Sequence, residues 1–314
     1  MLFIIRQYKL FILLGFVCIF TIFALYILHY MYYSNDVMSN LISYNAFSKD
    51  SHKKYITLEP KPVSEIYNEI SLPKYKDYNF IFLNAPLSLA HASGVNDKRV
   101  HESFFIKMLL PLVLRVDEQV RNEKKALFRL YNRFNQNRFN QRDIERLLYY
   151  AKKYNEHVTL NYLGYLYASH SLYNKVGRLP ISITLAIAII ESKLGSSVAL
   201  YKYNSLFNNW RVQKKTTFST LQDSIREFYF TLNADNRFFR FRSYRHDVMV
   251  RREDINSPEV KQKLILLMKK YNSYQRDYCQ NIMRVMKAYK LSRYDNYKLM
   301  HNNGEHNIYL KFKG

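Results

Sequence analysis

Cysteine is almost absent from this chain: among 314 residues there are two, Cys18 and Cys279. Cys18 lies in an apolar N-terminal run, so no disulfide with Cys279 is expected, and no cysteine framework or zinc-type spacing exists. The nine histidines form no HExxH-like pattern, and neither a metal site nor a cofactor is expected. Glycine and proline are scarce at seven each, while aromatics reach 16%; the bulk of the chain is therefore expected to fold, with length enough for one well-cored domain plus extras. Acid is in short supply too. Asp and Glu number 25 against 48 Lys and Arg, a formal net charge of +23. Such an excess suits nucleic acid, an anionic membrane face or a cell wall. It also suits simple drift toward Lys, Asn and Tyr in an AT-rich genome. The charge is spread along the chain, and no helix-turn-helix, zinc-finger or RNP-type pattern accompanies it. Nucleic acid is not an expected partner.

What the N-terminus does have is a long uncharged stretch. "LFILLGFVCIFTIFALYILHYMYY", Leu10 to Tyr33, carries no ionisable Asp, Glu, Lys or Arg, and a bilayer-spanning helix needs about 20 such residues. Arg6 and Lys9 precede it and Asp36 follows, which by the positive-inside rule puts residues 1–9 in the cytoplasm and the rest outside. The apolar core is long and its end is Tyr-rich, so an uncleaved anchor over 10–33 fits better than a removed signal peptide. Residues 34–98 are polar, interrupted by Pro60, Pro62, Pro73 and Pro86, and read as a juxtamembrane linker with some local order near "YNFIFLNAPLSLA".

Helical periodicity begins near residue 100. Phe104, Phe105, Met108, Leu109, Leu112, Val116 and Val120 share a face, with Pro111 expected to kink or restart the helix. Further helices are predicted over 141–154, 160–173, 221–232, 258–271 and 274–289. Strand signals are weak, so a mainly α fold is expected.

The most informative stretch is "LPISITLAIAIIESKLGSSVALYKYNSLFNNW", Leu179 to Trp210. Pro180 opens a helix whose apolar residues surround it, which predicts burial nearly all round. Its last turn holds one acid, Glu191, with Gly195 expected as the C-cap. A carboxyl among apolar walls is desolvated, which favours its protonated form and suits a general acid. The plainer reading is a solvated glutamate paired with Lys193.

That stretch resembles the signature of bacterial peptidoglycan β-N-acetylglucosaminidases in the lysozyme-like superfamily, whose pattern runs "vP…lAlAqaalESgWGtS…a…NNLFG.W". Glu191-Ser192, Gly195, Ser197, Asn204-Ser205-Leu206-Phe207 and Trp210 match in order. "FFIKMLLPLVLRVDEQVRNEKKAL", "FSTLQDSIREFYFTLNADNRFFRFRSYR" and "YNSYQRDYCQNIMRVMKAYKL" are similar to segments of the Bax-like branch, so the resemblance covers roughly 100–295. It implies a lysozyme-like helical domain over 99–295 with a reduced β-lobe, followed by a tail over 296–314. It implies hydrolysis of the glycan strand after N-acetylglucosamine, with Glu191 as the acid and Tyr271 as the best positional match to a site tyrosine, Tyr274 and Tyr278 standing behind it. Ser192, Asn204, Phe207, Trp210 and Tyr274 would bind substrate, with Leu206 a core plug beneath the loop.

For a second carboxylate, Asp223, Glu227 and Asp235 are candidates, each equally readable as a surface charge. The substrate's own 2-acetamido group could serve instead. Three departures stand out: the second "NLFG" glycine is Asn208, the "WG" tryptophan is Leu194, and only "RVQKKTT" separates Trp210 from Phe218, where the family has a longer hairpin over the substrate. A tethered wall-binding or scaffolding protein that kept the fold and lost the reaction is the alternative from another class. A lytic transglycosylase is the alternative enzyme, though "NSLFNNW" stands where those enzymes have a "GLMQ"-type block. Peptidoglycan and, through 10–33, the cytoplasmic membrane are the expected partners.

Overall fold

Phe104, Phe105, Met108, Leu109, Leu112, Val113, Val116, Leu127 and Phe134 form one apolar stripe, and burying it makes α1, Lys98–Asn135, the longest element. At 1.5 Å per residue this helix is roughly 55 Å long. It continues through Pro111 as a single element, because the buried stripe on both sides outweighs the one backbone N–H that proline lacks. The structure, a computed structural model, describes residues 54–59, 62, 64–66, 78–86, 98–207, 217–268, 277–299 and 306–312. Over these the protein is mainly helical. The expected anchor, residues 10–33, lies outside the described residues; among those described, no helix is long and apolar enough to cross a membrane.

Local signals account for most helix starts. Helix α2, Gln141–Lys153, opens with a reciprocal cap between Asn140 and Asp143. Helix α6, Leu221–Ala234, opens the same way with Thr220 and Asp223. Asn161 caps α3, Tyr162–Lys175, and Ser197 caps the short α5, Val198–Tyr203. Helices α7, Phe239–Val250, α8, Pro258–Met268, and α9, Tyr278–Ala288, complete the set, with 3-10 turns at Asn236–Phe238 and Leu291–Tyr294.

Helix α4, Ile181–Glu191, runs through the centre. Every residue from Ile181 to Ile189 is buried, and only Ile190 and Glu191 reach toward solvent. The expectation of burial all round is met. Helices α1 and α9 and the 3-10 turn at Leu291–Tyr294 pack on it.

Three parallel strands add a sheet that sequence periodicity did not reveal. β1, Lys54–Leu58, and β2, Tyr78–Phe82, both pair with β3, His306–Phe312, which lies between them. Asn84 prolongs the pairing: its Nδ2 donates to the Phe312 carbonyl at 2.9 Å and its Oδ1 accepts from the Phe312 N–H at 2.8 Å. Phe82 stacks on Phe312 and meets Phe104 edge-on, which fastens the sheet to α1. Segments assigned to a linker (34–98) and a tail (296–314) supply one sheet, and the compact unit runs His52–Gly314. Strands of five to seven residues whose partners lie far along the chain leave almost no local trace.

Candidate functional site

Helix α4 ends abruptly at Glu191. The cap is Ser192, and Lys193, Leu194 and Gly195 follow with φ of 51°, 57° and 92°. Gly195 was expected as the C-cap; the cap is instead Ser192, and Gly195 shares the left-handed conformation with two side-chain-bearing residues. A left-handed L residue costs of order 1 kcal/mol or more and persists where the surroundings hold it. Here the Leu194 N–H donates to Ile189 O at 2.9 Å and the Ser197 N–H to Ser192 O at 2.9 Å. The turn stops the helix at the residue where it leaves the core.

Glu191 accepts a hydrogen bond on Oε1 from the Tyr278 hydroxyl at 2.9 Å, and its Oε2 atom is buried. Tyr278 is the first residue of α9 and is itself buried. The neighbouring Cys279 Sγ donates to Ile265 O at 3.5 Å, tying the start of α9 to α8. The carboxyl also sits at the C-terminal end of α4, where the helix dipole favours cations. Neither the dipole nor helix capping explains an acid there. A residue whose placement breaks a local rule, held by a neighbouring strained turn, marks a candidate site.

The other residues singled out from sequence fall into three groups. Trp210, Tyr271 and Tyr274 lie outside the described residues. Ser192, Asn204 and Phe207 are described, and the structure gives each a structural task. Ser192 is fully buried; its Oγ donates to Ala188 O at 2.6 Å and accepts from the Gly195 N–H at 3.2 Å. Asn204 caps α5 in the left-handed region (φ 51°) and donates from Nδ2 to Phe218 O at 3.0 Å. With the Phe218 N–H donating to Tyr203 O, it clamps the two ends of the loop between them. Phe207 is 2% exposed and stacks on Phe228 at 4.2 Å and 6° between planes. Leu206 is fully buried as expected, and its N–H donates to Ser224 Oγ.

The candidate second carboxylates have other occupations. Asp223 belongs to the α6 capping box and pairs with Arg226 at 2.5 Å. Asp235 caps the following 3-10 turn and holds Arg237, and these contacts keep its carboxyl below the usual range. Glu227 is exposed on α6. Among the described residues, no group of three or more His, Cys, Asp and Glu could hold a metal ion.

Tyr278, placed behind Tyr271 and Tyr274 from sequence, is the one of the three within the described residues, and it meets Glu191. The signal was present in the spacing: Tyr278 opens a strongly amphipathic helix whose inward face includes Cys279, Ile282 and Met286, and that face packs on α4.

Comparison with known proteins adds no name. No family model, no curated protein and no solved structure matches this chain.

The far end of α4 is held differently. Buried Asp295 accepts from the Ser182 N–H at 2.8 Å, the Ser182 hydroxyl at 2.9 Å and Lys261 Nζ at 3.0 Å. A carboxylate at a helix N-terminus is where the dipole favours it. Just before the helix, Arg178 and Arg121 both reach buried Asp117, at 3.1 and 3.2 Å. Burial raises the Asp117 carboxyl despite these two guanidiniums. Arg245 of α7, also buried, donates to Gly177 O, Lys175 O and Asn233 Oδ1 at 2.7–2.9 Å.

Proposed function

We propose that the chain is a peptidoglycan hydrolase that cleaves the glycan strand after N-acetylglucosamine, with Glu191 as general acid and Tyr278 positioning it. The observation that carries this reading is the Tyr278 hydroxyl on Glu191 Oε1 at 2.9 Å, at the one point where the central helix leaves the core. A tyrosine from the downstream helix holding the glutamate of the "ES" pair is in keeping with the resemblance to the lysozyme-like glucosaminidases. In the reaction Glu191, protonated, gives its proton to the leaving glycosidic oxygen. The hydroxyl donated to Oε1 orients the carboxyl. With Asp223 and Asp235 committed to caps and ion pairs, the substrate's 2-acetamido oxygen is the group we assign to attack the anomeric carbon, followed by hydrolysis of the resulting intermediate. Residues 10–33 would anchor the domain in the cytoplasmic membrane facing the wall, and the basic surface would favour anionic wall polymers, with an attraction that salt screens.

The test is digestion of purified peptidoglycan by the full-length chain and by Glu191→Gln, with products reduced by borohydride and resolved by mass spectrometry. Reduced N-acetylglucosamine ends from the wild type, formed about 10²–10⁴-fold more slowly by Glu191→Gln, are expected. Anhydro-muramyl ends would reassign the protein to transglycosylation. Absence of any release, with both proteins pelleting with the wall, would make it a wall-binding scaffold. Tyr278→Phe separates positioning from chemistry: it should lower kcat more than it raises KM and shift the acidic or basic limb of the pH–rate profile, while a purely structural tyrosine would move neither limb.

A further inference from the structure

Beside the N-terminal end of α4, away from Glu191, lies a cavity of about 320 Å3. Its basic side chains come from four places: Arg121 and Lys124 on α1, Arg178 before α4, Arg245 and His246 on α7, and Arg252 in the turn after it. Among the described residues the lining holds one acid, Glu253, and that acid is paired with Arg251 at 3.2 Å. Asp117 lies beneath and is shared by Arg121 and Arg178.

The positive charge is therefore under-compensated. Arg245 is hydrogen-bonded, among the described residues, to neutral carbonyl and amide oxygens alone. Lys124 donates to the Tyr173 carbonyl and lies 4.0 Å over the Tyr173 ring. Burial and the Arg245 charge push the Lys124 amine down to about 7, and burial with the Lys124 charge lowers His246 as well. His246 Nδ1 is buried and makes no hydrogen bond among the described residues. Arg252 adds a separate indication. It occupies the left-handed region at φ 58°, as the second residue past the end of α7, where glycine would avoid the strain. Its side chain is exposed and lines the cavity. Val248, Met249 and Ile255 add apolar surface to the lining. The volume falls at the small end of ligand pockets, which run from about 300 to 1,000 Å3.

We propose that this cavity binds a small amphipathic anion, a carboxylate or phosphate monoester on a short apolar body, its head held by Lys124, Arg178 and Arg252 and its body by Val248, Met249 and Ile255. A buried charge without a partner is costly, and an anionic head supplies the missing partner through charge-assisted bonds. The apolar surface excludes a bare inorganic ion as the best ligand and gives affinity to one carrying a few methylenes. The site does not depend on the glycosidase reading.

Calorimetric titration of the full-length chain, purified in a nonionic detergent, tests this with hexyl phosphate, hexanoate, inorganic phosphate and hexylammonium. The two organic anions should bind, inorganic phosphate more weakly, and hexylammonium not at all. Arg252→Gln and Lys124→Gln should each weaken hexyl phosphate about tenfold or more. Arg252 is exposed, so its variant remains informative should Lys124→Gln fail to fold. The proposal is overturned by equal binding of hexylammonium, by no binding of either organic anion at millimolar concentration, or by an unchanged affinity in Arg252→Gln. Inorganic phosphate binding as tightly as hexyl phosphate would overturn its apolar half.

Discussion

At its C-terminal end α4 delivers one acid, Glu191, to a buried tyrosine and a left-handed turn. At its N-terminal end, about 15 Å away at 1.5 Å per residue, the same helix abuts a buried Asp295–Lys261 pair and a ring of cations. Between them the helix is apolar and buried throughout. A helix of this kind can carry charge only where it leaves the core, so both chemistries are pushed to its ends. The two ends are also held by different parts of the chain. Glu191 depends on α9, whereas the cationic end depends on α7, α1 and the loop before α4. Changes at one end should therefore leave the other largely intact, unless they loosen the helix itself.

The largest effect is expected from the change that loosens it. Asp295→Ala strips the Ser182 N–H of its acceptor and leaves Lys261 buried with only the Ser292 hydroxyl. Breaking a buried pair in this way costs about 3–5 kcal/mol, to be read from urea denaturation, and both ends should suffer together. A cost below about 1 kcal/mol would show that α4 is anchored by its apolar contacts alone.

Gly177→Ala should part the two ends. A Cβ at this position would stand 2.7 Å from Arg245 Nε, so the guanidinium must shift from the Gly177 and Lys175 carbonyls. Overpacking of this kind costs roughly 1–3 kcal/mol. Anion binding should weaken while the Glu191-dependent release of wall fragments at a permissive temperature is retained; loss of both at once would join the ends again.

A third test is one of pH. The Lys124 amine is lowered to about 7 in the folded chain, against roughly 10.4 when unfolded. Between those values the unfolded chain holds a proton that the folded chain does not, so stability rises as pH climbs from 7 toward 10. The groups facing this amine are Arg245 and His246 from α7, Arg121 on its own helix, Arg178, and the Tyr173 ring and carbonyl. Lys124→Met should flatten the rise, seen as a smaller spread of denaturation midpoints across that pH range. An unchanged spread would place the amine in solvent.

The two ends were not equally legible in the sequence. The acid end was, because Pro180, an apolar helix and the ordered Glu191–Trp210 run compress several signals into one stretch. Even so, that run mixes tasks. Ser192 and Asn204 hold turns and Phe207 fills the core, and residue order alone does not separate a side chain that faces a cleft from one that builds its floor. Tyr278 was visible only behind Tyr271 and Tyr274 in a chain of 29 tyrosines, because its contact with Glu191 comes from the crossing of α9 and α4. The cationic end left no mark at all. Its members stretch from Arg121 to Arg252, and in a chain with 48 basic residues no local pattern sets them apart. Helices with a buried stripe or a capping box were readable; the sheet, built from remote parallel strands, was not.

That sheet also imposes an order of events. β3 is the last described element of the chain, yet it is the middle strand and the sole partner of both β1 and β2. While the chain is being synthesised, neither early strand has anything to pair with until β3 has been made. The sheet is a late, long-range closure, slow by its topology, and it is laid over helices already able to form. A chain cut short before His306 would lack the strand that, among the described residues, joins the other two, so the two early segments are fastened to each other only through the last element described.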